Sequence, residues 1–136
     1  MAISREGYID LHDATLRLMT IGVDGVCKFT LVGVSRFRHL AGSLFTREVF
    51  NATLALSGCE SIEVTGSWAA SDNYVMDATI VSGDVEQSVW PDLPEEVPVR
   101  RVEFSLFSGA KIKVQCASGA MRLEGEALES GEWLAE

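Results

Sequence analysis

Apolar and polar positions alternate with a period of two along most of this chain, the pattern of half-buried strands rather than helices. Eight stretches read as strands, at roughly 10–21, 26–37, 48–57, 61–68, 74–81, 99–107, 111–117 and 120–124. Turn-forming residues separate them. The best helical candidate lies around 42–51. The alternation Phe50, Ala52, Leu54, Leu56 hands that region to a strand instead.

Three hairpins follow from parity, because slipping a strand by one residue turns every side chain to the other face. Asp24-Gly25 reads as a two-residue turn. It pairs Leu18 with Leu31, Thr20 with Phe29 and Asp13 with Arg36. Around Ser108-Gly109-Ala110 a loop of odd length sets Leu106 opposite Ile112, Phe104 opposite Val114 and Val102 opposite Cys116. An even loop would put Phe104 against Lys113, so the odd register is expected. A loop over 69–73 pairs Trp68 with Tyr74, Val64 with Ala78 and Ile62 with Ile80. One apolar face per hairpin implies two packed layers. The expected fold is all-β and mostly antiparallel, a two-sheet sandwich or partly open barrel of about eight strands. The length, 136 residues, suits a single domain over 1–136.

Two segments break the pattern. Pro91, Pro94 and Pro98 fall in the run Trp90–Pro98, at the end of a connection from about 82 to 97 that carries no strand signal. Residues 125–136 are rich in glutamate, end near Trp133 and Leu134, and read as a flexible or docking tail. Ser-Gly pairs at 57–58, 82–83, 108–109, 118–119 and 130–131 have no fixed spacing, so they read as turns and not as a repeat.

Charge narrows the function. Residues 1–47 carry six Lys/Arg against four Asp/Glu, whereas 48–136 carry five against sixteen, and the net charge is −9. Such a balance opposes nucleic acid and anionic membrane and favours a basic protein partner. Mean hydropathy of +0.16 leaves room for a self-association surface, hence a homo-oligomer, or for a ligand cavity. No apolar run approaches the ~20 residues that span a bilayer, and the start lacks an apolar signal core, so the cytoplasm is the expected compartment. Cys27, Cys59 and Cys116 are odd in number and widely spaced, and with His12 and His39 they form no metal-ligand spacing. No metal or cofactor is expected.

Candidate chemistry is sparse. His12-Asp13 could act as a base and its orienter, but on a regular strand neighbouring side chains point apart. His12 would then share a face with Leu16 and Leu18 at the edge of the core. Arg36-Phe37-Arg38-His39 with Arg47 is a basic island with an aromatic, a pattern that can grip single-stranded nucleic acid. Asp13 already offers Arg36 a partner, and the chain as a whole is acidic. No serine-nucleophile motif or phosphate-cradling loop occurs, so no catalytic residue is assigned.

The segments Leu11-His12-Asp13-Ala14-Thr15-Leu16, Leu31-Val32-Gly33-Val34-Ser35-Arg36-Phe37 and Val102–Ala117 together resemble small bacterial β domains, some of them grouped with immunity proteins that neutralise toxins. The pattern usually has Ser-Gly-Asp where this chain has Ser108-Gly109-Ala110. The resemblance implies a binding role and transfers no site residues. The expectation is therefore a non-enzymatic interaction protein, an immunity-like inhibitor of a basic partner being one form, met through Trp90, Asp92, Glu95 and Glu96. The alternative is a small-molecule-binding protein or enzyme with an end-of-barrel pocket near His12.

Overall fold

The computed structural model describes residues 7–66, 73–93 and 95–134, with the backbone alone for Trp133 and Leu134. Among these residues every regular element is a strand: β1 (Tyr8–Asp10), β2 (Thr15–Ile21), β3 (Cys27–Ala41), β4 (Leu44–Ser57), β5 (Ser61–Thr65), β6 (Val75–Ser82), β7 (Val85–Gln87), β8 (Val89–Pro91), β9 (Val97–Pro98), β10 (Arg101–Leu106), β11 (Lys111–Gln115) and β12 (Ser118–Leu134). They form two antiparallel sheets and no closed barrel, which agrees with the fold class that the alternation implies. The first sheet has the order β8-β1-β3-β4-β12-β9, with β2 also pairing β3. The second has the order β5-β11-β10-β6-β7. There are twelve strands rather than eight, because the long connections carry short ones of their own.

One apolar cluster lies between the sheets. Phe29, Leu31, Leu54 and Leu56 enter it from the first sheet, and Val102, Phe104, Ile112 and Val114 from the second. Phe29 and Phe104 meet edge to face at 5.2 Å, joining β3 to β10 across the layers. Such a contact adds about 0.5–1.5 kcal/mol beyond the area it buries.

The spine of the first sheet is the β3–β4 hairpin, closed by Gly42-Ser43 with Ala41 opposite Leu44. Gly42 has φ +56, the left-handed value that the first position of a II′ turn requires and that glycine adopts without strain. The strand expected in place of a helix within 42–51 is present, beginning at Leu44 directly after this turn.

Several expected registers shift. Around Asp24 the loop spans Gly22–Val26 and not two residues, because the Val26 amide bonds the Asp24 carboxylate at 3.2 Å. The Gly22 amide also bonds the Val26 carbonyl, at 2.9 Å. Met19 therefore faces Phe29, and Leu18 faces Thr30. A bulge between Leu16 and Leu18 then places Leu16, not Leu18, opposite Leu31. Leu18, expected inside, is 55% exposed. Arg36 lies between Ile9 and Glu48, so its ion pair is with Glu48 and not with Asp13.

In the second sheet Phe104 pairs Ile112 and Val102 pairs Val114. The expected faces hold, but each partner shifts by two residues because the turn centres on Ser108 instead of Gly109, the Leu106 amide bonding the Ala110 carbonyl at 2.9 Å. The expected pairing of 61–68 with 74–81 does not form: β10 and β11 lie between β5 and β6. Trp68, placed in that hairpin, falls outside the described residues. The 82–97 connection contains β7, β8 and part of β9. Ser118-Gly119 and Ser130-Gly131 are not turns but strand positions of β12. The stretch Glu129–Leu134, read as tail, pairs residue by residue with Leu44–Val49.

Candidate functional site

The interaction residues expected from sequence do not come together. Trp90 is fully buried. It sits on β8 opposite Ile9, and its ring leaves no room for a Cβ on Gly119, where the added atom would lie 2.7 Å from the indole. Glycine is thus required at that close approach, and Trp90 belongs to the core instead of a binding loop. Its Nε1 finds no acceptor among the described residues. Glu95 and Glu96 are exposed. Asp92 is turned inward and accepts from Arg38 Nε at 3.3 Å.

His12 is not on a strand. It and Asp13 form a turn in which Asp13 takes φ +68, and this brings the adjacent side chains together, Nδ1 to Oδ2 at 3.2 Å. The His12 amide also bonds Asp10 Oδ1 at 3.0 Å. The imidazole is 56% exposed, not at the edge of the core, and lines neither hollow described below. A base needs a place for substrate within hydrogen-bond reach.

The larger hollow, about 630 Å³, is lined by Lys28, Arg36, Arg38, Thr53, Asp92 and Arg122, with Ile9, Leu93, Met121 and Leu123 as its apolar walls. Strand pairing assembles it. Lys28 sits beside Ala55 and Ala55 beside Ala120, while Thr53 sits beside Arg122. Arg36 is held firmly: Nε and Nη2 both reach Glu48 Oε1, at 3.2 and 2.7 Å, and the guanidinium lies 4.8 Å from the Phe50 ring centroid. On the other wall Glu124 accepts from the Thr53 hydroxyl at 2.7 Å and from Arg122 at 3.2 Å. These bonds, the Thr53 one foremost, hold its carboxyl below the ordinary range. Lys28 makes no ion pair among the described residues. Sequence spacing marked Arg36 and Arg38 as an island but gave no sign that Lys28 and Arg122 would join them.

A smaller hollow of about 220 Å³ lies beside Cys27 and Cys59 at the start of β5. Burial pushes the Cys27 and Cys116 thiols up to about 11, the charge of Cys59 adding to both. Burial also raises Cys59, against a hydrogen bond from the Cys27 backbone. Cys59 donates to the Leu56 carbonyl and Cys116 to that of Val99, each at 3.3 Å. Thiols in that state are poor nucleophiles near neutral pH. No group of three or more His, Cys, Asp or Glu among the described residues is placed to hold a metal ion. No helix among them is long and apolar enough to cross a membrane. No family model, curated protein or solved structure matches the chain.

Proposed function

We propose that the chain is a non-enzymatic binding protein that engages a basic protein along the free edge of β12. The observation carrying this reading is the one-sided pairing of that strand. β4 pairs one edge of β12 along Ser118–Glu124 and Glu129–Leu134, with an interruption over 125–128. On the other edge β9 pairs only Ser118 and Gly119, and residues 120–134 have no strand partner there among the described residues. Unpaired N–H and C=O groups on such an edge accept an added strand. Exposed Glu124, Glu126, Glu129 and Glu132 lie along the same strand, on a chain of net charge −9. Joining two such edges would set glutamate against glutamate, whereas a strand rich in Lys and Arg is attracted. An immunity-like inhibitor of a basic toxin is one concrete form, in keeping with the resemblance of the first strand and last hairpin.

The test uses a peptide of alternating lysine and valine, titrated calorimetrically at increasing salt. Binding that weakens steeply with ionic strength, and is lost in a Glu126→Lys, Glu129→Lys, Glu132→Lys variant, supports the reading. Binding indifferent to salt or to those substitutions refutes it. A pocket at His12 has less support, since that side chain stands in open solvent.

A further inference from the structure

On a chain with nearly twice as many acidic as basic residues, four of the eleven Lys and Arg surround one hollow. Between them the lining mixes Thr53 and Asp92 with the exposed Leu93, the partly buried Leu123, Ala55 and Ala120, and the nearly covered Ile9 and Met121. At about 630 Å³ the space falls within the roughly 300–1,000 Å³ usual for small-molecule sites. We propose that this hollow binds an amphiphilic organic anion, a carboxylate, sulfonate or phosphate head on an apolar body. The inference stands apart from the β12 reading and shares no test with it.

The donor count favours an anion. A guanidinium has five N–H donors. Glu48 uses two of those on Arg36, and Asp92 uses one on Arg38. The remaining donors, with the ammonium of Lys28, are free to meet an anionic head. Arg36 is already immobilised by Glu48 and Phe50, so binding orders little that is not ordered beforehand. Asp92 has the opposite role. Its carboxylate is 17% exposed and rests on the half-exposed Arg38, where it occupies a donor and repels an incoming anion. The groove thus carries its own competitor, and removing that charge strengthens binding. A cationic ligand would respond in the reverse direction. The sign of the Asp92 effect therefore identifies the ligand's charge.

The experiment titrates the full chain with 8-anilinonaphthalene-1-sulfonate, an anionic head on an apolar body, and reads its fluorescence. Saturable binding is expected, displaced by decanoate but not by decanol, and weakened by salt. Lys28→Gln and Arg38→Gln, both at exposed side chains, each lower affinity about three- to tenfold. Asp92→Asn raises it, with an unchanged melting temperature marking an intact fold. Unsaturable binding, equal displacement by decanol, indifference to both cation substitutions, or weaker binding in Asp92→Asn each overturns the proposal. The decanoate and decanol arm uses the unaltered chain, so the outcome holds even if a variant misfolds.

Discussion

The two halves of the β3–β4 hairpin are built on different terms. Near the loops at Gly25 and Gly58, Cys27, Phe29 and Leu31 on β3 and Ala52, Leu54 and Leu56 on β4 are fully or nearly fully buried against the second sheet. Beyond the bulge at Gly33 the same strands run toward Gly42 with Arg36, Arg38, His39 and Phe45. That half is held by the Arg36–Glu48 pair and by aromatic contacts, Tyr8 stacked on Phe37 at 5.1 Å and edge-on to Phe45 at 6.2 Å. Area removed from water stabilises the first half. Cross-strand contacts of modest individual worth stabilise the second. The near half carries more of the stability, whereas the hollow draws on both halves, Lys28 and Thr53 from the near one and Arg36 and Arg38 from the far one.

The largest effect that could break this division comes from two truncations. Phe104→Ala, beneath the near half, should cost about 3–5 kcal/mol. Phe45→Ala, in the far half, should cost about 1 kcal/mol. Equal losses in denaturant titrations would erase the distinction. Alkali gives a smaller effect. Cys27 and Cys116 stay protonated in the folded chain up to about 11, against an ordinary 9.0 when unfolded. Between those pH values the unfolded state has released protons that the folded state retains, so stability falls as pH rises from 9 to 11. Each thiol contributes on the order of 1 kcal/mol to that loss, since part of both shifts is repulsion among the same three thiols. A Cys116→Ala variant should lose less over the same range, as read from urea midpoints. Arg36→Ala should cost about 1 kcal/mol, because the pair with Glu48 is only partly shielded from water. Thermal unfolding of that variant and of Glu48→Gln measures it.

Burial of Phe104, Ile112, Ile62 and Ile80 toward one interior was readable because alternation determines which face a residue occupies. It does not determine which strand lies alongside. Ile62 and Ile80 satisfy the same parity whether β5 pairs β6 or, as here, both flank the β10–β11 hairpin. Bulges were equally silent. The Gly22–Val26 loop turns Leu18 outward, the extra residue between Leu16 and Leu18 returns Leu16 to Leu31 with no compositional mark, and the turn at His12–Asp13 carries Asp13 away from Arg36. Gly42-Ser43 did carry a hairpin signal, which a strand reading that began only at 48 left unused. The hollow was the least legible feature, since Lys28 and Arg122 reach it only through pairing with Ala55 and Thr53, contacts set by registers that alternation leaves open.

The free edge of β12 is tested most directly by amide hydrogen exchange along residues 120–134. Amides of 120–124 and 129–134 bonded to β4 should exchange slowly and their alternate neighbours rapidly, giving a two-residue period of protection that breaks over 125–128, where β12 pairs with neither neighbour. Slow exchange at every position would mean that another strand already covers this edge, and the binding surface assigned to it would not exist.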